Sequence, residues 1–345
     1  MRILKVRNVH QALPRGLELL DQIGVARESR AGDVLYGGPV TTVYTHPLER
    51  VIFWPERDAN PFFHLYESLW MILGRQDTAG PARYVKRMGS FSDDGVKFHG
   101  AYGHRWRFHF RKDQLTEIME ILIKNPDDRR CVLQMWDATV DLGKNGLDFP
   151  CNTIATFQRG IHGELNLTVF CRSNDIVWGA YGANAVQFGT LLEFMAIGIG
   201  CPVGTYTQIS VNWHGYVSTL NSVSRLRPDK YGFVANPYIY GSPSDRVQVV
   251  SMPNDYDQLV SSIHKLVDAA DQDFREHTFG DFFINGELDP WVEMVYHVLK
   301  AHTHYKAGKI DTAIKQLNAT GLLNADWVVA SREWLQRRQM KQTLR

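Results

Sequence analysis

Cys151 has the neighbours expected of a reactive thiol. Pro150 restricts the backbone before it, and the polar residues Asn152 and Thr153 follow it, whereas a structural cysteine usually lies in an apolar run. Because a thiolate is a strong nucleophile, this setting predicts covalent catalysis. Burial in the core is the alternative, since free cysteine is among the most buried residue types.

Several arginines lie in short polar clusters beside apolar segments. They are Arg30, the adjacent Arg129 and Arg130, and Arg172, which Ser173 follows. A guanidinium binds phosphate oxygens through paired hydrogen bonds, so arginines that the fold brings together predict a site for a phosphate dianion. Solvated surface arginines are the alternative.

Glu67 places a carboxylate on an apolar helix face. Phe63 lies four residues before it and Trp70 three residues after it, so both share its side of a helix. Burial there would raise the pKa of Glu67 and suit it to proton transfer. A glutamate at the edge of the apolar face, without a role in chemistry, is the alternative.

The helix that carries Glu67 has clear end signals. Asn60 and Pro61 predict its first turn, and its apolar residues continue up to Gly74, so the helix is expected to be buried over most of its circumference. Asp113 predicts the cap of a second helix, which precedes the strand RRCVLQMW.

Alternation of side chains with period two predicts two further strands. In residues 163–172, leucine, valine and cysteine side chains share one face. In residues 207–216 the hydrogen-bonding side chains share a face, including His214 and Tyr216, which predicts a polar surface or a polar site. A helix is expected over residues 184–199. Because helices and strands interleave without a regular βαβ repeat, the pattern favours an α+β fold with a mixed sheet.

Composition limits the classes of function. The chain has 345 residues, of which 44% are hydrophobic and 22% charged, as is typical of a folded protein. Its 38 basic and 37 acidic residues balance to +1, so no net field attracts nucleic acid, and none is expected as a required partner. Residues 1–60 are expected to hold strands and loops. Residues after 282 are expected to be helical and to end in a basic helix with a solvated face and no chemistry.

The cysteines and histidines give no sign of disulfides or a metal. The four cysteines include no C-x-x-C pair, and the start of the chain lacks the apolar run of a signal peptide, which predicts a reduced, cytoplasmic protein. The thirteen histidines form no H-E-x-x-H pattern, so no metal is expected. No stretch has the roughly 18 apolar residues of a membrane span.

Seven segments together resemble the thymidylate synthase and pyrimidine nucleotide hydroxymethylase family. In the family's order they cover about residues 27–220. The resemblance implies a large twisted mixed sheet with flanking helices in a catalytic domain of residues 1–282, and a helical extension of residues 283–345. It also implies an obligate homodimer with shared active sites. The segments are ESLWMILG (67–74), GAYGHRWR (100–107), DDRR (127–130), FPCN (149–152), CRSND (171–175), WGAYGAN (178–184) and NWHGY (212–216).

The resemblance implies a reaction at a pyrimidine ring. Cys151 matches the nucleophile that adds to C6, Glu67 the carboxylate that organises water and moves protons, and Tyr102 the tyrosine near the acceptor of the C5 proton. The implied one-carbon donor is 5,10-methylenetetrahydrofolate, and the acceptor is a pyrimidine nucleoside monophosphate. Arg172 is expected to stabilise the thiolate as well as the phosphate.

Other matches imply how the phosphate is held. Arg30, Arg172 and Ser173 match the phosphate contacts of one subunit. Arg129 and Arg130 match an arginine pair that the partner subunit contributes. The resemblance therefore implies that each active site is built by two chains.

The sugar, the pterin and the base have their own matches. His214 and Tyr216 match residues that bind the sugar hydroxyl, and Asp175 matches the residue that recognises the pterin. Asn184 matches an asparagine that donates to O4 of uracil and accepts from N3–H, where cytosine hydroxymethylases carry aspartate. Uracil is therefore expected, but WGAYGAN has one residue more than the usual motif, so cytosine stays open.

Three departures from the family bear on the product. Residues 87–100 contain no tryptophan, Asn152 stands where the family usually has histidine, and an apolar tail that closes over folate is absent. Because an exocyclic methylene that meets water adds hydroxide rather than hydride, we expect 5-hydroxymethylation of dUMP, as in viral base modification. The alternatives are a thymidylate synthase, a dCMP or CMP hydroxymethylase, and a catalytically silent relative that binds nucleotide or RNA.

Overall fold

A mixed sheet forms the centre of the protein in this computed structural model, which describes residues 2–29, 32–283 and 286–343. The strands are β1 (Arg2–Val6), β2 (Val25–Arg27), β3 (Val34–Tyr44), β4 (Val132–Gln134), β5 (Asn152–Arg159), β6 (Leu165–Asp175) and β7 (Val203–Tyr216). They lie in the order β1-β3-β7-β6-β5-β4, and β2 also pairs with β3. The β1–β3 and β6–β7 pairs are parallel and the others antiparallel, which confirms the predicted mixed sheet and α+β class.

Helices flank this sheet. They are α1 (Val9–Ile23), α2 (Pro61–Ile72), α3 (Ala79–Tyr84), α4 (Tyr102–His104), α5 (Gln114–Lys124), α6 (Ala138–Asp141), α7 (Asn184–Ile199), α8 (Val217–Leu220), α9 (Tyr256–Asp271), α10 (Pro290–Lys306), α11 (Ile310–Asn318) and α12 (Asp326–Thr343). Wider π-type turns cover Arg105–His109 and Ile176–Ala183. Across the described ranges, no helix has both the length and the apolar character needed to cross a membrane.

Helix α2 forms where the sequence predicts it. The Asn60 side chain accepts a hydrogen bond from the Phe63 amide at 3.1 Å, and Pro61 occupies the first turn, where a missing N–H costs nothing. Every residue of α2 is buried, as predicted. It packs against α7, α10 and α12, so the C-terminal helices help to position Glu67.

Helix α7 and strand β6 also agree with their predictions. The helix has the predicted bounds and ends at Gly200, whose positive φ of 74° suits glycine. Strand β6 buries Leu165, Leu167, Val169 and Cys171 on one face.

Strand β7 turns its polar side inward. Gln208 and Ser210 are completely buried, whereas Val211 on the other face is 52% exposed. Ser210 accepts a hydrogen bond from Asn174, which in turn accepts one from Asn184 at the start of α7. The polar face of β7 thus leads into the interior, and an apolar face is left half-exposed.

Two expectations for the chain ends are wrong. Residues 1–60 contain α1 as well as strands, because Asn8 caps it by accepting from the Gln11 amide. The basic residues Arg337 and Arg338 of α12 are not freely solvated, since both pair with Asp58. The division of the chain at residue 282 stays a prediction.

Candidate active site

A cavity of about 290 Å³ brings Cys151, Glu67 and Tyr102 together, as the sequence predicts. Cys151 directly precedes β5, Glu67 lies on α2 and Tyr102 lies on α4, so their meeting depends on the packing of α2 against α4 and α7. The wall is largely apolar and aromatic. It also includes Trp70, Met71, Pro81, Met88, Phe91, Phe98, Gly100, Ala101, Leu147, Asp148, Phe149 and Gln187.

The backbone at Cys151 is fixed by Tyr102. The Tyr102 hydroxyl accepts hydrogen bonds from the Cys151 amide at 3.0 Å and from the Asn152 amide at 3.1 Å. Burial raises the pKa of Tyr102 well above its usual value, so the hydroxyl keeps its proton. It therefore positions the backbone of Cys151 and retains one hydrogen to donate.

Arg172 lies beside the thiol, as predicted. Its Nε donates to the Pro150 carbonyl at 2.9 Å, and its amide donates to the Cys151 carbonyl at 2.8 Å. Burial raises the pKa of Cys151, and the positive charge of Arg172 opposes that rise. Arg172 thus acts in the expected direction, but in the free protein burial outweighs it.

Glu67 has the raised pKa that its apolar helix face predicts. Burial raises the pKa of Glu67 to about 7, and a hydrogen bond from Gln187 opposes part of that rise. The Gln187 amide donates to Glu67 Oε2 at 2.7 Å. Near neutral pH this carboxyl group is therefore poised to take up or release a proton.

A chain of buried amides runs behind Cys151. Asn152 Nδ2 donates to Asn184 Oδ1 at 3.1 Å, and Asn184 Nδ2 donates to Asn174 Oδ1 at 3.0 Å. Among the described residues, Asn152 Oδ1 is buried without a hydrogen-bond partner. The chain fixes which end of the Asn184 amide donates and which accepts.

Four other predicted residues lie at the ends of two adjacent strands. In the parallel β6–β7 register, Ser173 is opposite Asn212 and Asp175 is opposite His214. The rings of His214 and Tyr216 meet edge to face, with centroids 5.2 Å apart. All four lie beyond Arg172 in this register, at the carboxyl ends of the two parallel strands.

The Asp175 carboxylate is hydrogen-bonded to three backbone amides. It accepts from the amides of Val177 at 3.0 Å, Trp178 at 2.6 Å and Tyr216 at 3.2 Å. It caps the wide turn that follows β6 and ties that turn to β7. It does not line the Cys151 cavity, so its predicted contact with a pterin stays a prediction.

The other predicted arginines are not part of this cavity. Arg129 and Arg130 are exposed at the edge of the sheet just before β4, and Arg130 pairs with Asp128. The chain's own fold does not bring them to Cys151. Arg30 lies outside the described residues.

Comparison with known proteins gives the family. The thymidylate synthase family model matches residues 60–231. The chain is 44% identical to the deoxyuridylate hydroxymethyltransferase of Pseudomonas phage M6, over 98% of this chain and 95% of that protein. The chain belongs to the thymidylate synthase family.

Two further phage proteins, both named deoxyuridylate hydroxymethyltransferase, are similar to this chain. The protein of Bacillus phage SP01 is 40% identical over 52% of this chain and 49% of its own length. The protein of Delftia phage PhiW-14 is 26% identical over 94% of this chain and 93% of its own length.

Sequence reasoning missed several residues of this thymidylate synthase family site. Gln187 lies three residues after Asn184, on the same side of α7, and that spacing was a usable signal. Asp148 accepts from the Gly100 amide at 2.8 Å and lines the cavity, with no local signal that marks it. Burial raises the pKa of Asp148. Asn174 acts only through its place in the amide chain.

The segment without tryptophan does line the Cys151 cavity. Residues 87–100 contribute Met88, Phe91, Phe98 and Gly100 to its wall, and Trp70 comes from α2 instead. In this family member residues 87–100 therefore line the cavity with phenylalanine, methionine and glycine and without tryptophan. Among the described residues, no group of three His, Cys, Asp or Glu side chains is placed to hold a metal ion.

Proposed function

We propose that the protein transfers a one-carbon unit from 5,10-methylenetetrahydrofolate to C5 of dUMP and releases 5-hydroxymethyl-dUMP. The observation that carries the proposal is the shared cavity of Cys151, Glu67 and Tyr102. A nucleophile, a proton carrier of suitable pKa and a hydroxyl donor lie there against an apolar wall. The names of the phage relatives agree with this reaction.

The first step activates the pyrimidine ring. C5 of uracil is a weak nucleophile until the Cys151 thiolate forms a bond to C6 and moves electrons onto the C4 carbonyl as an enolate. Arg172 favours the thiolate, while Glu67 supplies or removes protons near O4. When bound, the reduced folate supplies a one-carbon unit at the oxidation level of formaldehyde.

The last step decides the product. After C5 has bonded to the one-carbon unit, loss of the C5 proton and departure of tetrahydrofolate from that carbon would leave an exocyclic methylene on the ring, and hydroxide adds to the methylene when water reaches it. The electrons that return to the ring restore the C5–C6 double bond and expel the Cys151 thiolate. Glu67, held by Gln187, is the group that positions and deprotonates this water.

Asn184 supports uracil as the base. An amide has both a donor and an acceptor, which match O4 and N3–H of uracil. The hydrogen bond from Asn152 holds the Asn184 oxygen in one orientation. Selectivity for uracil over cytosine would follow from that fixed orientation.

The phosphate site requires a second subunit. Arg172 and Ser173 come from one chain, and Arg129 and Arg130 are the candidates from the other. Support comes from the half-exposed face of the sheet, where Ile154, Phe170 and Ile209 lie in register on three adjacent strands. Together with the exposed Val211, they form an apolar face suited to pairing with the same face of a second copy.

A reduced folate fits beside the nucleotide. A second cavity of about 440 Å³ shares Glu67, Met88 and Phe91 with the Cys151 cavity, and it is lined by tryptophan and arginine side chains. Aromatic rings suit a pterin and a benzoyl group, and guanidinium groups suit carboxylates. These residues would hold the donor next to C5.

The test identifies the product. The protein is incubated with 5,10-methylenetetrahydrofolate and each of dUMP, dCMP, UMP and CMP, and the nucleotides are analysed by mass spectrometry while dihydrofolate absorbance is followed. We expect 5-hydroxymethyl-dUMP without dihydrofolate. Formation of dTMP with dihydrofolate would establish a thymidylate synthase, and modification of cytosine alone would establish a cytidylate hydroxymethylase. Nucleotide binding without release of the C5 proton would establish a silent relative.

A further inference from the structure

Helix α12 forms one wall of the second cavity. Trp334 and Arg338 from this helix face the cavity together with Arg57, Arg87 and Trp178 from other parts of the chain. Trp334 is buried, and Arg338 keeps about a fifth of its side chain exposed. The sequence predicts no chemical role for the C-terminal segment. In the structure this segment nevertheless lines the cavity beside the Cys151 cavity.

The second cavity carries an excess of positive charge. Arg57, Arg87 and Arg338 line it, against the two carboxyl groups of Asp58 and Glu67. Burial lowers the pKa of His64 to about 3, so this histidine is neutral. A ligand with carboxylate groups would therefore be favoured in this cavity.

Two of these guanidinium groups stack on tryptophan rings. The Arg57 guanidinium carbon lies 4.2 Å from a ring centroid of Trp178, and that of Arg338 lies 3.2 Å from a ring centroid of Trp334. Such cation–π contacts hold a guanidinium in one orientation. The positive charges are thus fixed in place before a ligand arrives.

The hydrogen bonds of Arg338 leave one edge of its guanidinium available. Nη1 donates to Asp58 Oδ1 at 3.0 Å and to the Trp334 carbonyl at 3.2 Å, and Nη2 donates to Asp58 Oδ2 at 2.9 Å. Of the five donor hydrogens of arginine, the Nε–H and one on Nη2 have no partner among the described residues. These two hydrogens point the same way and suit the two oxygens of a carboxylate.

Asp58 is held in a strained conformation for this contact. Its φ of 44° is uncommon for a residue with a side chain, and its amide donates to the carbonyls of Trp54 and Pro55. In that conformation its carboxylate reaches both Arg337 and Arg338 of α12. The residue with this uncommon backbone conformation is thus the one that pairs with the C-terminal helix.

We propose that α12 is a fixed wall of the co-substrate site and that the free edge of Arg338 binds a glutamate carboxylate of the reduced folate. Trp334 acts as a positioning residue that holds the guanidinium. The inference rests on the proposed function, because it takes the donor to be a reduced folate. It extends that function by assigning recognition of the glutamate tail to α12.

The test compares two neighbouring arginines. Arg338→Gln removes the charge that lines the cavity, whereas Arg337→Gln removes the other partner of Asp58 from the same helix without altering the lining. Binding is measured by quenching of tryptophan fluorescence with tetrahydrofolate and with tetrahydropteroate, which lacks the glutamate. Arg338→Lys retains the charge but not the paired geometry, and dUMP binding checks that each variant is folded.

We expect Arg338→Gln to weaken tetrahydrofolate binding about tenfold and to leave tetrahydropteroate binding unchanged, with Arg338→Lys in between and Arg337→Gln within about twofold of wild type. Equal losses in the two glutamine variants, or equal losses for both ligands, would overturn the inference. Unchanged binding in Arg338→Gln would also overturn it while leaving the proposed function intact. A wild-type protein that binds dUMP but neither reduced folate would remove the proposed function as well.

Discussion

The two cavities share Glu67, Met88 and Phe91 but differ in the other residues of their walls. The wall of the Cys151 cavity comes mainly from α2, from residues 88–102, from residues 147–151 and from Gln187 of α7, and it is largely apolar. The second cavity draws on α12 and on the loop before α2, and guanidinium groups stacked on aromatic rings dominate it. The difference indicates a division of labour. In the proposed function, bond making depends on the elements around Cys151, whereas affinity for the donor depends on the C-terminal helix.

The largest expected effect comes from replacing the sulfur of Cys151, which lines the first cavity but not the second. Cys151→Ser should lower product formation and C5 proton release by at least about 1,000-fold, because a hydroxyl at this position lacks the thiolate's nucleophilicity. Binding of dUMP and tetrahydrofolate should persist. Cys201→Ser, which alters another partly buried free thiol outside the cavity, is the matched control and should keep full activity. Comparable losses in both variants would contradict this assignment.

The next effect concerns the carboxyl group between the cavities. Glu67→Gln should lower kcat by about 100-fold, because the amide transfers no proton, and it should remove a limb near pH 7 from the pH–rate profile. Asp326→Asn is the control. Burial also raises the pKa of Asp326 to about 7, but this residue bonds to Tyr238 and lines neither cavity.

The pH dependence of the free energy of unfolding is a second test of the Glu67→Gln and Asp326→Asn variants. The folded protein holds the Glu67 proton up to about pH 7, whereas the unfolded chain releases it near pH 4.5, so the stability that this proton provides is lost as the pH rises between those values. The free energy of unfolding, measured with denaturant, should fall between pH 5 and pH 8 in the wild-type protein. In Glu67→Gln this fall should be smaller by up to about 3 kcal/mol. Asp326→Asn should change the pH dependence of stability but retain the pH–rate limb. Loss of the limb in Asp326→Asn would contradict the role of Glu67.

A smaller effect is expected for the choice of base. Asn184→Asp replaces the amide donor by an acceptor, so the ratio of kcat/KM for dUMP to that for dCMP should fall by at least about tenfold. Competition assays with both nucleotides measure this ratio directly. Asn166→Asp, at the far end of β6, should leave it unchanged. A constant ratio in Asn184→Asp would place base recognition elsewhere.

The smallest expected effect tests the second subunit. Cys151→Ser and a double variant, Arg129→Ala with Arg130→Ala, should each be inactive alone. Equal amounts mixed under conditions that exchange subunits should recover about one quarter of wild-type activity, because half of the dimers are mixed and each has one intact site. No recovery despite verified exchange would show that the arginines act within their own chain.

The parts of the fold that sequence predicts well have local signals. The Asn60–Pro61 pair begins α2, Asp113 caps α5, and alternating burial defines β6. Helix α1 was missed because Pro14 and Gly16 interrupt it in sequence. Gly16 is needed there, since a Cβ would lie 2.1 Å from the Tyr181 ring, and only the tertiary packing shows this.

The residues of the candidate site also divide into those that the sequence predicts and those that only the fold reveals. Cys151, Glu67 and Arg172 each have a local signal in their neighbouring residues, whereas Tyr102 is predicted only through a segment that resembles the family. The hydrogen bond of Asn152 to Asn184 and the contact of Arg338 with Asp58 join residues 32 and 280 positions apart, so no local pattern reports them. Sequence therefore reveals the reacting groups, and the fold reveals what orients them.

The central claim is that the Cys151 sulfur bonds to C6 of the nucleotide. With 5-fluoro-dUMP and 5,10-methylenetetrahydrofolate, the C5–F bond cannot release a proton, so the adduct should persist and be visible by intact-protein mass spectrometry. Peptide mapping should locate it on the segment that contains Cys151. An adduct on Cys131, Cys171 or Cys201, or turnover of dUMP without any adduct to the fluorinated nucleotide, would contradict the account.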